Sequence, residues 1–200
     1  MARVDSSIAP PAATRETRVF GLVMLEQRRV IERLVGSEGY HRALKRLPED
    51  RRLEFTGMGM FSWCSTTTIA MVLNEAAREA GTDPNSFTSR VVREGFGRIM
   101  RTVWRLFVSF SDDEAIVRRA GVVYTKAIDR GKTEARVEAP GHLVLEISDW
   151  PDINAIDIVA IASGIEAALE VAGRKVTIQH RRAPGNTVRF DVRTRAEAAA

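Results

Sequence analysis

The sequence predicts an α+β fold, with a helical amino-terminal half packed with a carboxy-terminal ββαββ antiparallel sheet unit. Three observations carry this. First, four runs between Lys132 and Arg193 alternate strictly between apolar or small and polar residues, the signature of strands with one buried and one wet face. Second, Pro140–Gly141 and Pro184–Gly185 supply turns between the members of each strand pair. Third, the chain before Asp129 carries helix signals throughout.

Taken in order, residues 1–18 form a flexible tail containing Pro10, Pro11 and several small residues. A helix over 19–35 carries Val23, Leu25, Val30, Ile31 and Leu34, and Gly36 stops it. Ser37 caps a second helix that reaches Leu47 before Pro48. Residues 53–61, rich in glycine and methionine, read as a loop or short extended segment. The next helix covers 62–80, with Ile69, Val72, Leu73 and Ala76 on its core face and Gly81 at its end. Asp83 followed by Pro84 starts a helical stretch to about Phe110, which Gly95 and Gly97 divide or bend. Ser111 and Glu114 have the spacing of a capping box for a helix towards Ile128.

In the sheet unit, Thr133, Ala135 and Val137 share one side of the first strand, and Leu143, Leu145 and Ile147 one side of the second. A helix over 154–172 sets Ile158, Ile161, Ile165 and Leu169 in a stripe that can cover the buried face. Val176 and Ile178, then Val188, Phe190 and Val192, complete the inward pattern. No linker-like stretch divides residues 19–193. They read as one α+β domain, with a helical half at 19–130, a sheet unit at 132–193 and a short tail at 194–200.

Two hundred residues can bury a sizeable core without staples. The single cysteine, Cys64, excludes an intramolecular disulfide framework, and no apolar signal segment opens the chain. Both point to the cytoplasm. No apolar run approaches the ~20 residues that span a bilayer. Lysine occurs only at positions 45, 126, 132 and 175, so arginine supplies most of the positive charge, and the net +4 permits acidic partners without demanding them.

No catalytic constellation emerges, and the expectation is a protein that is not an enzyme. His41, His142 and His180 form no local ligand pair, so no metal site is expected. His142 falls in phase with the wet face. His180, in phase with Val176 and Ile178, is either a partly buried structural histidine or a pocket residue. Cys64, just inside a predicted helix start, is either a reactive thiol or a small buried apolar group. Ser65 to Thr68 lack the glycine-rich turn and lysine of a phosphate loop, and Asp112 and Asp113 suit a helix start. Met60, Phe61 and Trp63 before one helix, with Trp104 and Phe107 towards the end of another, either line an apolar ligand pocket together with His180 or pack as plain core. Arg90, Arg93, Arg98, Arg101 and Arg105 give one helix a basic side, either a solvated face with acidic neighbours or a surface for nucleic acid or an acidic protein. No zinc-finger, RNP or helix-turn-helix spacing accompanies that charge.

The order of elements resembles a ligand-binding superfamily that joins 4-vinyl-reductase-type domains, haem–nitric-oxide-binding domains and TRAPP subunits. It resembles in particular an uncharacterised myxobacterial family of that fold. The residues that carry the likeness are Val19–Leu22 before a helix, Ala80–Pro84 leading to Phe87, and Arg93–Gly97. The remainder lie in 132–192: Ile147–Pro151, Gly164, Ala172, Gly173 and Phe190. The resemblance implies a ligand-binding or regulatory module that often dimerises, with the apolar Phe20–Leu25 segment available for such an interface. A haem-binding member carries an axial histidine on a helix of the amino-terminal half and a tyrosine–serine–arginine clamp. Here no histidine lies between His41 and His142, and Thr125, Lys126 and Ala127 after Tyr124 do not match the clamp. The metal-holding cysteines of vinyl-reductase domains have no counterpart either.

The expected function is therefore a non-enzymatic ligand-binding or signalling module without haem or other cofactor. It would take a small apolar ligand or a protein partner, as a homodimer. The alternatives are an interaction scaffold with no small ligand and a nucleic-acid binder that uses the arginine-rich helix.

Overall fold

A computed structural model of the chain describes residues 16–102 and 112–194. Within these, the predicted α+β class is observed, with six helices and six strands. The order is β1 (Arg18–Phe20), α1 (Gly21–Lys45), α2 (Glu49–Thr56), β2 (Trp63–Ser65), α3 (Thr66–Ala80) and α4 (Pro84–Arg101), then α5 (Asp113–Ala127), β3 (Lys132–Ala139), β4 (His142–Ser148), α6 (Ala155–Val171), β5 (Val176–Ala183) and β6 (Thr187–Thr194). The tail before residue 16, the end after residue 194, and Trp104, Arg105, Phe107 and Ser111 lie outside the described residues.

The sheet unit follows its sequence pattern. Strands β3, β4, β6 and β5 stand in that order, every pair antiparallel. One face meets α6: Ile158, Ile161 and Ile165 pack with Ile147, Val188 and Phe190. The other face is laced with charge. Arg189 holds Asp191 at 2.9 Å and Glu146 at 3.4 Å, while Arg136 meets Glu146 at 3.3 Å. His142 lies on this face, 3.2 Å from Asp191. Val144 shares its phase yet is fully buried, because Arg136 and Asp191 flank it in the neighbouring strands and cover it.

The helical half differs from its prediction in four places. Arg18–Phe20, read as the end of a tail and the start of a helix, form β1. Gly36 does interrupt the first helix, at φ 73° and ψ 162°, but helix resumes at once, so α1 is two arms joined at a kink. Residues Glu49–Thr56, read partly as loop, form α2. Its charged sequence gives little apolar periodicity, and Gly57 and Gly59 just beyond it dominate the local composition. Residues Trp63–Ser65, read as helix, form β2 and pair antiparallel with β1. Helix α3 begins only after Ser65, whose hydroxyl accepts from the Thr67 amide at 3.1 Å. Asp83 caps α4 as expected, accepting from the Ser86 amide at 2.8 Å. Asp112 caps α5, and Gly121 does not break that helix.

Just before β1, the Thr17 hydroxyl donates to Asp152 at 3.0 Å and ties the start of the described chain to the sheet unit, while β1 itself closes the helical half. Val19 bridges to Ile128, and Arg18 clamps Asp129 through its amide at 2.7 Å and its Nε at 2.9 Å. Val23 and Met24, in the segment expected at an interface, are buried within the chain itself.

Candidate functional site

The space between the two halves is not filled. Helices α1, α3, α4, α5 and α6 and strands β3 and β4 line a cavity of about 240 Å³. Its wall is overwhelmingly apolar. Val23 and Met24 come from α1, Val92, Phe96 and Met100 from α4, Val117 and Val123 from α5, and Ile161, Ile165 and Ala168 from α6. Helix α4 packs closely on α6, and Phe96 of α4 lies beside Gly164 of α6. Gly95 brings α4 close to the backbone of α1 at Gln27, where a methyl group would sit only 3.1 Å from the Gln27 amide nitrogen.

A few polar groups join this wall. Trp150 is 1% exposed, and its Nε1 has no hydrogen-bond partner among the described residues. The Thr133 hydroxyl, on the inward side of β3, is likewise buried and unpartnered there. Tyr124 donates its hydroxyl to the Arg130 carbonyl at 2.7 Å, and burial raises its pKa above the ordinary phenol value. Asp157 lies at the start of α6. It closes a capping box with Asn154, in which its carboxylate accepts from the Asn154 amide and its own amide donates to the Asn154 side chain, both at 3.0 Å. Burial pushes its carboxyl up from 3.8 to about 7, against the lowering effect of that amide.

The chain has the H-NOX fold. Solved structures establish this through their shared shape at low sequence identity. An Fe(II) unliganded H-NOX protein mutant from K. algicida superposes with a TM-score of 0.67 at 11% identity, over 90% of this chain and 98% of that one. An H-NOX protein from S. oneidensis in the Fe(II)NO ligation state gives a TM-score of 0.67 at 10% identity, covering 88% and 99%. An oxygen-binding H-NOX domain related to soluble guanylate cyclases gives 0.62 at 11% identity, covering 87% and 93%. No protein-family model matches the sequence, and no curated protein does.

Of the residues expected to line a pocket, the four described ones, Met60, Phe61, Trp63 and His180, are not among those that line this cavity. Met60 and Phe61 are 48% and 83% exposed, in the loop between α2 and β2. Trp63 is half-buried and packs its ring against Phe20 at 5.3 Å. His180 is exposed on β5, its ring edge-on to Phe190 at 6.1 Å. Trp104 and Phe107 lie outside the described residues. The cavity's polar wall was not singled out from sequence, although signals existed. Asp157 interrupts an apolar run between Ile156 and Ile158, and Thr133 stands in phase with Ala135.

Cys64 is fully buried in β2 rather than at a helix start, and burial pushes its thiol up to about 12, the opposite of activation. Arg90, Arg93, Arg98 and Arg101 are exposed on α4, but acids meet the first two. Arg90 pairs with Glu94 at 3.2 Å, and Arg93 with Glu170 at 2.6 Å and Glu166 at 3.6 Å. Glu94 is also paired with Arg33. Arg105 lies outside the described residues. Among the described residues no cluster of three or more histidine, cysteine or acidic side chains could hold a metal ion, and no helix is long and apolar enough to cross a membrane.

Proposed function

We propose that the chain is a non-enzymatic ligand-binding or signalling module that uses the H-NOX fold to hold a small, largely apolar molecule in place of haem. The observation that carries this reading is the apolar cavity between the helical half and the sheet, at about 240 Å³. Dry apolar cavities of about 150 Å³ already take up benzene.

Haem is the group the fold suggests, since work on haem distortion has used the H-NOX family. The residues here do not fit it. Protein ligands to haem iron are histidine, cysteine thiolate, methionine or tyrosine. Among the described residues the cavity wall holds no histidine and no cysteine, and the Tyr124 hydroxyl donates to Arg130. Met24 and Met100 do line it, but methionine ligates haem iron beside a histidine, and no histidine stands with them among the described wall residues. The sequence has no histidine from 42 to 141, and Val103–Ser111 contains no residue of the four ligand types. The volume also falls below the roughly 300–1,000 Å³ of pockets for drug-sized ligands.

Titration of the purified chain with haemin, followed by absorbance, tests this. The expected result is no saturable one-to-one haem spectrum. A sharp, stoichiometric haem spectrum that survives desalting would refute the reading.

A second reading, a contact surface for a protein partner or a second copy, is favoured by Leu53, Met60 and Phe61, which are 59%, 48% and 83% exposed on α2 and the loop after it.

A further inference from the structure

Most of the cavity wall offers nothing but van der Waals contact, yet its sheet end contains two buried polar atoms that find no hydrogen-bond partner among the described residues. Trp150 Nε1 can only donate a hydrogen bond. Thr133 Oγ1 can donate and accept. Neither has a partner among the described residues, and both side chains line the cavity. They belong to one corner of the fold. Thr133 sits opposite Ile147 in the β3–β4 pair, and Ile147 packs with Trp150 in one cluster.

We propose that Trp150 and Thr133 form the polar anchor of the cavity and select a neutral apolar molecule bearing one carbonyl or hydroxyl oxygen. The inference rests on the ligand-binding reading above and names the chemistry of the ligand. A buried donor left unsatisfied carries a desolvation cost that a ligand oxygen would remove. The Trp150 donor demands an acceptor, so a pure hydrocarbon leaves the corner unserved. An anion is disfavoured because a mostly apolar wall, whose charged side chains are Asp157 and Arg119, compensates poorly for the water a carboxylate would lose. Scaling from benzene in a cavity of about 150 Å³, the present volume accommodates roughly ten heavy atoms.

Three probes of one skeleton separate the contributions: propiophenone, propylbenzene and hydrocinnamate. Calorimetric titration of the full chain should show propiophenone binding about tenfold tighter than propylbenzene, and hydrocinnamate weakest. Trp150→Phe and Thr133→Val keep the approximate shape of each side chain. Each should cut propiophenone affinity about fivefold to tenfold and leave propylbenzene affinity unchanged. Because propylbenzene reports on the cavity alone, a variant that still binds it retains the fold. Equal affinity for ketone and hydrocarbon, or equal loss of both in the variants, would overturn the anchor while sparing the cavity reading. Binding of neither probe by the unaltered chain would overturn both.

Discussion

Asp157 shows how one residue couples helix start, cavity and pH. Its carboxylate caps α6, which favours the charged form, yet burial outweighs this and holds the pKa near 7 against an ordinary 3.8. A raised folded-state pKa means that the native state binds the proton more tightly than the unfolded chain. The stability it contributes is therefore complete below about pH 4 and is lost as pH rises through about 7, a fall on the order of 4 kcal/mol. Asp157→Asn keeps an acceptor for the Asn154 amide and removes the titration. Denaturant midpoints measured at several pH values should lose that downward slope, and the variant should exceed the parent in stability at pH 8. The acid side belongs to other residues. Arg51 and Ser65 hold Glu16 down at about 2, and Arg189 with His142 does the same for Asp191, so their contributions fade only as pH falls towards 2.

Gly131 is the other residue whose identity the geometry fixes. Its φ is +84°, and an added Cβ would sit 2.5 Å from the Tyr124 hydroxyl. Gly131→Ala should cost about 1–3 kcal/mol in chemical denaturation, from backbone strain and displacement of that hydroxyl from the Arg130 carbonyl.

At the scale of elements, the sheet unit was legible in the sequence and the short elements of the helical half were not. Strict period two in four runs left only one face for β3–β6, and the stripe at Ile158, Ile161 and Ile165 told where α6 would dock. Ile158→Ala, at a site 6% exposed, should cost about 2–5 kcal/mol. Phe61→Ala, at 83% exposure, should stay within about 0.5 kcal/mol of the parent when measured the same way. The contrast explains why Met60 and Phe61 read from sequence like wall residues. Hydrophobicity marks Phe61 and Ile158 alike, and only tertiary contact decides which is inside. Strand β2 escaped notice because three residues carry no measurable periodicity, and its pairing with β1 is long-range. The polar corner was hidden for a related reason: that Trp150 and Thr133 share it follows from the β3–β4 register and the chain's return into α6.

At the scale of the whole molecule, the fold is that of H-NOX domains, and the described cavity wall presents neither histidine nor cysteine. Much of the charge on the basic face of α4 is met by acids on α4 itself and on α6, so Arg90 and Arg93 serve packing between elements as much as any partner. What the architecture leaves open is a small, mostly apolar volume between the helical half and the sheet unit. Native mass spectrometry of the purified chain, incubated with haemin and propylbenzene together and compared with its denatured mass, tests that claim most directly. The account predicts a non-covalent adduct of one propylbenzene per chain, or of a lighter-than-haem molecule retained from purification, lost on denaturation. A haem adduct, or a chain that carries nothing under these conditions, would contradict it.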